Sequence, residues 1–325
     1  CEIGEILMEK ARQGVEVRLL YDDVGSWKLK RSFISRLRKA GVRVHCFMPV
    51  VFPWLSSRMN YRNHRKIIVI DGKVGYTGGM NIADRYMQGT KKIGKWRDTH
   101  LRLEGGAVHM LQVTFVTDWF FATKENLFSL IENYLTNPVS IEGGVSVQIA
   151  TSGPDSNWAS IMQGFFTLIA RATHHIYIST PYLIPNRPIL TSLKAAALSG
   201  VDVRIMLPEN SDSRLAHWAT RSYITELLEA QVKLYLYKAG FNHSKVICVD
   251  GSFCSVGSVN IDERSFNDNF EITAMIYHRE TTLELERSFL KDLEQCYKPT
   301  LFQWNNRKHK DNIKEGIARL FSPLL

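Results

Sequence analysis

The pattern His-x-Lys-x-x-x-x-Asp occurs twice in this chain, as HRKIIVID from His64 to Asp71 and as HSKVICVD from His243 to Asp250. The agreement continues downstream, where GGMN sets Gly79 and Asn81 in the register of Ser258 and Asn260 in GSVN. A single His-x-Lys means little, because both residues are common. Two copies with the same downstream glycine and asparagine restrict the chain to a duplicated fold. Alternate residues of a strand face the same side of a sheet, so each copy points one imidazole and one ammonium in one direction. Two such copies can converge on a single phosphate.

The duplication extends well beyond the motifs. GVEVRLLYDD from Gly14 parallels GVDVRIMLPEN from Gly200, and RSFISRLRKAGVRVHCF from Arg31 parallels RSYITELLEAQVKLYLY from Arg221. Only the first half carries an apolar stretch, FMPVVFPWLSSRMNYRN, just before its histidine, and its two prolines make it a loop. The helical EIGEILMEKARQ answers to PILTSLKAAALS, but the second half also has a strand, HHIYISTPYLIP, ahead of that helix. Residues 1–140 are therefore expected to form a first half that lacks its first strand, and residues 141–325 a second half. The join is expected near Asn137–Gly144, where NPVSIEGG breaks the helical spacing. Because the chain opens in mid-repeat at Cys1, it reads as a piece of a longer protein.

Periodicity supplies the architecture. KIIVIDG and KVICVDG are β-branched runs closed by Asp-Gly, which predicts buried strands ending in tight turns. VGYTGG and FCSVGS return as second strands, and HLRLEG and FEITAMIYH add further ones. Apolar residues three and four apart predict helices in SFISRLRKAG, YITELLEA, GGAVHMLQVTFVTDWFF and RETTLELERSFLKDLEQCY. The alternation predicts an α/β protein with a mixed sheet in each half, flanked by helices. With 325 residues, 45% of them hydrophobic, there is material for two cored domains and none of the signature of disorder. No apolar run reaches the roughly 18 residues of a membrane span. Five scattered cysteines without zinc-ligand spacing predict free thiols. The net charge of +9 calls for an anionic partner, nucleic acid or an acidic membrane surface.

The paired motif, with its Gly-Gly or Gly-Ser and asparagine sequel, resembles that of the phospholipase D superfamily. The flanking strings VEVRLLYDDVGS, YRNHRKIIVIDGKVGYTGGMNIADRY, WRDTHLRLEG, STPYLIP, SVNIDERSFNDNFEITAMIY and ARLFSPLL are similar to those of bacterial cardiolipin synthases, and they span nearly the whole chain. The resemblance implies two similar phospholipase D-like α/β domains, related by a pseudo-twofold axis, with one active site between them. It implies phosphatidyl transfer between two phosphatidylglycerol molecules, giving cardiolipin and glycerol through a phosphohistidine. The alternative is a phosphodiesterase or nuclease of the same fold that uses water. It implies His64 as nucleophile, His243 as general acid, and Asp98 and Glu271, 34 residues after His64 and 28 after His243, as acidic residues hydrogen-bonded to motif histidines. The parent protein is expected at the bacterial cytoplasmic membrane, held by segments absent from this chain. Two departures stand out: Gln231 replaces a glycine, and Asn242 precedes the second histidine.

The residue types suit that chemistry on their own terms. A phosphodiester is anionic and repels nucleophiles until its non-bridging oxygens are neutralised. Lys66 and Lys245 supply charge, and Asn81, Asn260 and Ser258 supply hydrogen-bond donors. One neutral imidazole can attack phosphorus while the other, protonated, serves the leaving alkoxide, roles open to a group whose ordinary pKa is about 6.5. Asp71 and Asp250 are counted with the catalytic set, though their place before glycine at a strand end also suits a turn-former or lysine partner. No metal or cofactor is called for, because the lysines neutralise the phosphate. Phe47, Phe52, Trp54 and Leu55 are expected to enter a lipid headgroup layer, with Arg58, Arg62 and Arg65 at phosphate level. That favours anionic phospholipid, phosphatidylglycerol at a membrane surface, over nucleic acid, and leaves the oligomeric state open. Asp212 and His217 are placed at the mouth, within reach of a glycerol headgroup.

Overall fold

The computed structural model describes residues 2–50, 61–128 and 143–325. In the second half a mixed sheet runs in the order Cys296–Tyr297, Lys233–Tyr237, Asp202–Pro208, His175–Ser179, Val246–Val249, Phe253–Gly257 and Asn269–Tyr277, with Ser146–Ser152 on the far edge of the last. His175–Ser179 is the hinge of this order, parallel to Asp202–Pro208 on one side and antiparallel to Val246–Val249 on the other. Its strands are apolar on both faces because both are covered. Helices Ser160–Arg171, Arg187–Leu198 and Ile224–Glu229 close one side over Ile176, Ile178, Val203, Ile205 and Ile247. Helix Arg279–Leu293 covers the other, where Phe289 stacks on Tyr177 with ring centroids 5.1 Å apart.

The first half repeats these pairings with one difference. Arg18–Asp22 pairs in parallel with Arg43–Phe47, and Ile67–Ile70, Val74–Gly78 and His100–Glu104 form an antiparallel meander. Among the described residues no strand joins the two groups, so one sheet of the second half is two sheets here. The expected single mixed sheet therefore holds for the second half only. The physical consequence is exposure: Ile68 and Ile70 are 40% and 50% exposed, whereas their counterparts Ile247 and Val249 are 2% and 6% exposed. The predicted join, Asn137–Gly144, lies outside the described residues except for Gly143 and Gly144; from Ser146 the chain is part of the second sheet.

Both motif aspartates close their hairpins in left-handed backbone. Asp71 and Gly72 have φ of 53° and 65°, and Asp250 and Gly251 have 52° and 64°, the paired positive values of a type I′ turn. Asp250 does more. Its carboxylate accepts the backbone N–H groups of Thr173, His174 and His175, each at 2.8 Å, and the Thr173 hydroxyl at 2.9 Å. It thereby ties the start of strand His175–Ser179 to the hairpin. Asp71 has the same backbone but no hydrogen bond or ion pair among the described residues. Gln231 also sits at positive φ, 67°, where Gly41 has 96°. It ends its helix in the conformation that favours glycine.

Burial works to raise the Asp250 carboxyl, but its backbone and Thr173 donors win and hold it below the usual carboxylate range. A depressed folded pKa gives stability that is present above the unfolded value, about 3.9, and lost as pH falls through the folded value. Asp250→Asn should lower unfolding stability by about 1–2 kcal/mol at pH 7, since the site is partly open to water. Parallel urea titrations of the two proteins should converge as pH drops below about 4. Equal stability at neutral pH would remove the anchoring role.

Candidate active site

The two halves meet by exchanging backbone. Arg62–Asn63, just before the first histidine, pairs in parallel with Asn269–Phe270 of the second half. Gly240–Asn242, just before the second, pairs in parallel with Lys95–Arg97 of the first. The register ends identically: His64 N–H donates to the Phe270 carbonyl at 2.9 Å and His243 N–H to the Arg97 carbonyl at 2.7 Å. The next residue on each partner strand is the carboxylate. His64 Nδ1 therefore lies 2.9 Å from Glu271 Oε1, and His243 Nδ1 lies 2.8 Å from Asp98 Oδ2. Each imidazole is oriented by the other half's carboxylate, so neither half carries a complete histidine–carboxylate pair. The asparagine before each histidine serves the same crossing. Asn63 Oδ1 accepts from Arg65 N–H and Asn242 Oδ1 from Ser244 N–H, both at 3.1 Å, so the apparent departure at Asn242 is a feature of both halves.

The two carboxylates differ in their surroundings, and one sequence difference explains part of it. Glu271, 0% exposed, accepts a short hydrogen bond from the Ser258 hydroxyl and another from Asn269 Nδ2 at 3.2 Å. Gly79 holds the place of Ser258 in the first half, and a Cβ built there would collide with Asp98 Oδ1. There is no room for a hydroxyl, and Asp98 is left with the Thr99 N–H at 2.8 Å. Burial pushes Asp98 up to about 6 against the pull of Lys245. Burial would raise Glu271 too, but His64, Lys66 and the Ser258 hydroxyl hold it down and ionised. Ser258 is thus a carboxylate partner, engaged also with the Ile272 N–H at 3.0 Å, rather than the phosphate donor expected from its position.

Both imidazoles are held neutral. Burial lowers His64 despite Glu271, and burial with Lys245 and Lys66 takes His243 well below its ordinary value. With Nδ1–H given to a carboxylate, each Nε2 keeps a lone pair. The lysines fold back on their own motifs: Lys66 Nζ donates to the His64 carbonyl and Lys245 Nζ to the His243 carbonyl, the latter at 2.7 Å. Burial, then mutual repulsion in the case of Lys66, brings Lys66 down to about 7, and burial brings Lys245 down to about 8. Such ammonium groups are short of counter-charge, which an arriving phosphodiester supplies.

The asparagines take less symmetrical places. Asn81 Nδ2 donates to Tyr86 Oη at 2.6 Å, and that hydroxyl stands 3.5 Å from His243 Nδ1. Asn260 is buried, lends its amide to Asp262, and keeps an unpartnered carbonyl oxygen. Tyr86 is a site residue that the sequence does not single out. Its ring meets His243 edge-on at 5.5 Å, and only its nearness to the Asn81 motif could have flagged it. Asp250 sits at the opposite end of its strand from Lys245, bound to backbone, and is not part of this cluster; Asp71 holds the matching turn. Asp212 accepts the Tyr182 hydroxyl in a short hydrogen bond, while His217 packs edge-on against Trp218. The supposed lipid-facing loop is also revised. Phe47 is a core residue between Phe121 and Phe270, and Arg65 is ion-paired with buried Asp118; Phe52, Trp54, Leu55 and Arg58 lie outside the described residues.

Known proteins match this chain over its whole length. A family profile described as cardiolipin synthase, PLD-like domain, matches residues 2–94 and 165–293. A cardiolipin synthase of Geobacillus kaustophilus is 49% identical over all of this chain and 65% of its own length. The major cardiolipin synthase of Bacillus subtilis is 44% identical over all of this chain and 67% of its own. This chain thus spans about two thirds of the length of these curated relatives. Among solved structures, phosphatidylserine synthase from Haemophilus influenzae superposes with a TM-score of 0.66 at 13% identity, covering 100% of this chain and 93% of that one, a likeness of fold.

The tight fit at Gly79 is open to test. Gly79→Ala places a methyl against Asp98 and should tilt His243 out of line. A misplacement of about 1 Å costs on the order of a hundredfold in rate. Turnover of bis(p-nitrophenyl) phosphate should fall by about that factor, with the melting temperature nearly unchanged; an unaltered rate would remove Asp98 from the site.

Proposed function

We propose that this chain, which belongs to the cardiolipin synthase family of phospholipase D-like proteins, transfers a phosphatidyl group between two phosphatidylglycerol molecules. The observation that carries this reading is the crossed pair of histidine–carboxylate contacts flanked by two lysines, Lys245 buried and Lys66 half-buried. On this reading residues 1–140 and 141–325 are the two halves of one catalytic unit. Lys66 and Lys245, with the amides of Asn81 and Asn260, hold the non-bridging oxygens of the donor phosphodiester. His64 is the nucleophile, because its Nδ1–H faces the ionised carboxylate, Glu271, which raises electron density at Nε2.

In the first step Nε2 of His64 forms a bond to phosphorus and the phosphorus–oxygen bond to the headgroup glycerol breaks. His243, protonated once the anionic substrate is in place, gives its proton to the departing glycerol oxygen. The glycerol hydroxyl of a second phosphatidylglycerol then surrenders its proton to His243 and attacks phosphorus. The phosphorus–nitrogen bond breaks, cardiolipin leaves, and both histidines return to their starting states. Asp98, drawn up to about 6, suits a partner for the imidazole that must change protonation in each half-reaction. A membrane-bound parent protein fits such a substrate.

Acid-free quenching of the protein during turnover, followed by peptide mapping, should find the phosphoryl group on His64. His64→Ala should form no adduct. His243→Ala should lose a factor of about a hundred to ten thousand in turnover. It should nevertheless accumulate adduct from a p-nitrophenyl ester, whose leaving group needs no proton. Vesicles of phosphatidylglycerol should yield cardiolipin and glycerol; phosphatidic acid as the sole product would replace transfer by hydrolysis. An adduct on His243 would exchange the roles, and its absence under all conditions would end the phosphohistidine reading.

A further inference from the structure

Helix His309–Leu320 exposes large apolar side chains that a surface helix ordinarily buries. Its inner face carries Ala318 and the buried Glu315, which Arg307 clasps at 2.5 and 3.2 Å, while Arg319, itself exposed, reaches the Ser222 carbonyl at 2.8 Å and Glu226 at 2.6 Å. Its outward stripe is apolar. Ile313, Ile317 and Leu320, spaced four and three apart on one face, are 55%, 55% and 79% exposed, and Leu324 prolongs the stripe beyond the helix. At the start of the helix Lys308 and Lys310 are exposed, and their ammonium groups form no hydrogen bond or ion pair among the described residues. An apolar stripe with a fringe of unpaired cations complements an anionic lipid surface, whose acyl boundary takes the apolar face and whose phosphates take the ammonium groups.

The helix that bears the stripe is linked to the histidine centre through two intervening elements. Its helix packs on Arg214–Arg221, which follows the loop of Asp212, the residue bound to Tyr182. The segment after it, Ser322–Leu324, packs on helix Glu263–Asn267, and the Leu325 carbonyl accepts the Arg264 N–H at 3.0 Å. That short helix is capped by Asp262, two residues beyond Asn260. We infer that the exposed face of His309–Leu320, with Leu324, is an interfacial docking surface that lays the rim of the active site against an anionic bilayer. The choice of a lipid surface, rather than a protein, rests on the proposed phosphatidylglycerol chemistry and on the cationic fringe.

The test separates docking from catalysis. The full chain and the variant Ile313→Ser/Ile317→Ser/Leu320→Ser are sedimented with vesicles of phosphatidylglycerol in phosphatidylcholine, and with phosphatidylcholine alone. All three side chains are exposed, so the fold should be retained, and circular dichroism checks it. Burying three such side chains at an interface supports a loss of roughly tenfold or more in affinity for the mixed vesicles. Lys308→Ser/Lys310→Ser should lose mainly the part of binding that salt removes. Turnover of a short-chain, monomeric phosphatidylglycerol should be the same in all three proteins. Inactivity of every protein on that substrate, with vesicle binding still lost in the triple variant, would sink the proposed reaction and leave the docking face standing. Unchanged vesicle binding by the triple variant would overturn the docking face, as would conversion of a dimer to a monomer with lipid binding intact, which would assign the stripe to a second copy.

Discussion

Glu271 and Asp98 each reach the Nδ1 atom of the opposite half's histidine, and much of the molecule is arranged to make those two contacts possible. A buried carboxylate is costly unless donors surround it. Glu271 draws on Ser258, Asn269 and His64, while Asp98 draws on Thr99 and His243. Those donors come from both halves. The exchanged strand pairs at Arg62–Asn63 and Gly240–Asn242 fix the register that puts each carboxylate one residue beyond the carbonyl bound by a histidine N–H. Arg97 reinforces the junction, reaching Asp292 at 2.8 Å, Thr99 at 2.9 Å and Ser244 at 3.1 Å.

A duplicated fold would give two equal histidines, but the proposed reaction needs two unequal ones. The inequality has a small origin. Glycine at 79 leaves Asp98 without the hydroxyl donor that Ser258 gives Glu271, and the carboxylate approaches too closely for any side chain at 79. The carboxylate with more donors stays ionised, and the other is drawn upward by burial. One imidazole thus has a fixed anionic partner and the other a partner near its own titration range, a difference that suits a nucleophile and a proton carrier.

Much of the histidine cluster is legible in the chain, because repetition singles out residues that the fold brings together. The two histidines, two lysines and both asparagines follow from register alone, and Asp98 and Glu271 follow from the family pattern. The crossing is not legible, since sequence distance places Asp98 with His64 and Glu271 with His243, and only the exchanged strands reverse that. Tyr86 escapes because it has no counterpart in the second motif. Phe47 and Arg65 look lipid-facing in the sequence because composition does not say which way a side chain points; the one ends a core strand and the other has buried Asp118 as its partner. The motif aspartates belong to the hairpins, as the backbone donors around Asp250 make plain.

The crossed orientation can be seen directly in the imidazole Nδ1–H proton resonances of protein labelled with ¹⁵N-histidine. Each such proton, held by a buried carboxylate, is protected from solvent exchange and resolved downfield. Glu271→Gln should displace the resonance of His64, in the other half, and leave that of His243 in place, while Asp98→Asn should do the reverse. If Glu271→Gln instead disturbs His243 and spares His64, each half orients its own histidine and the crossed arrangement is wrong.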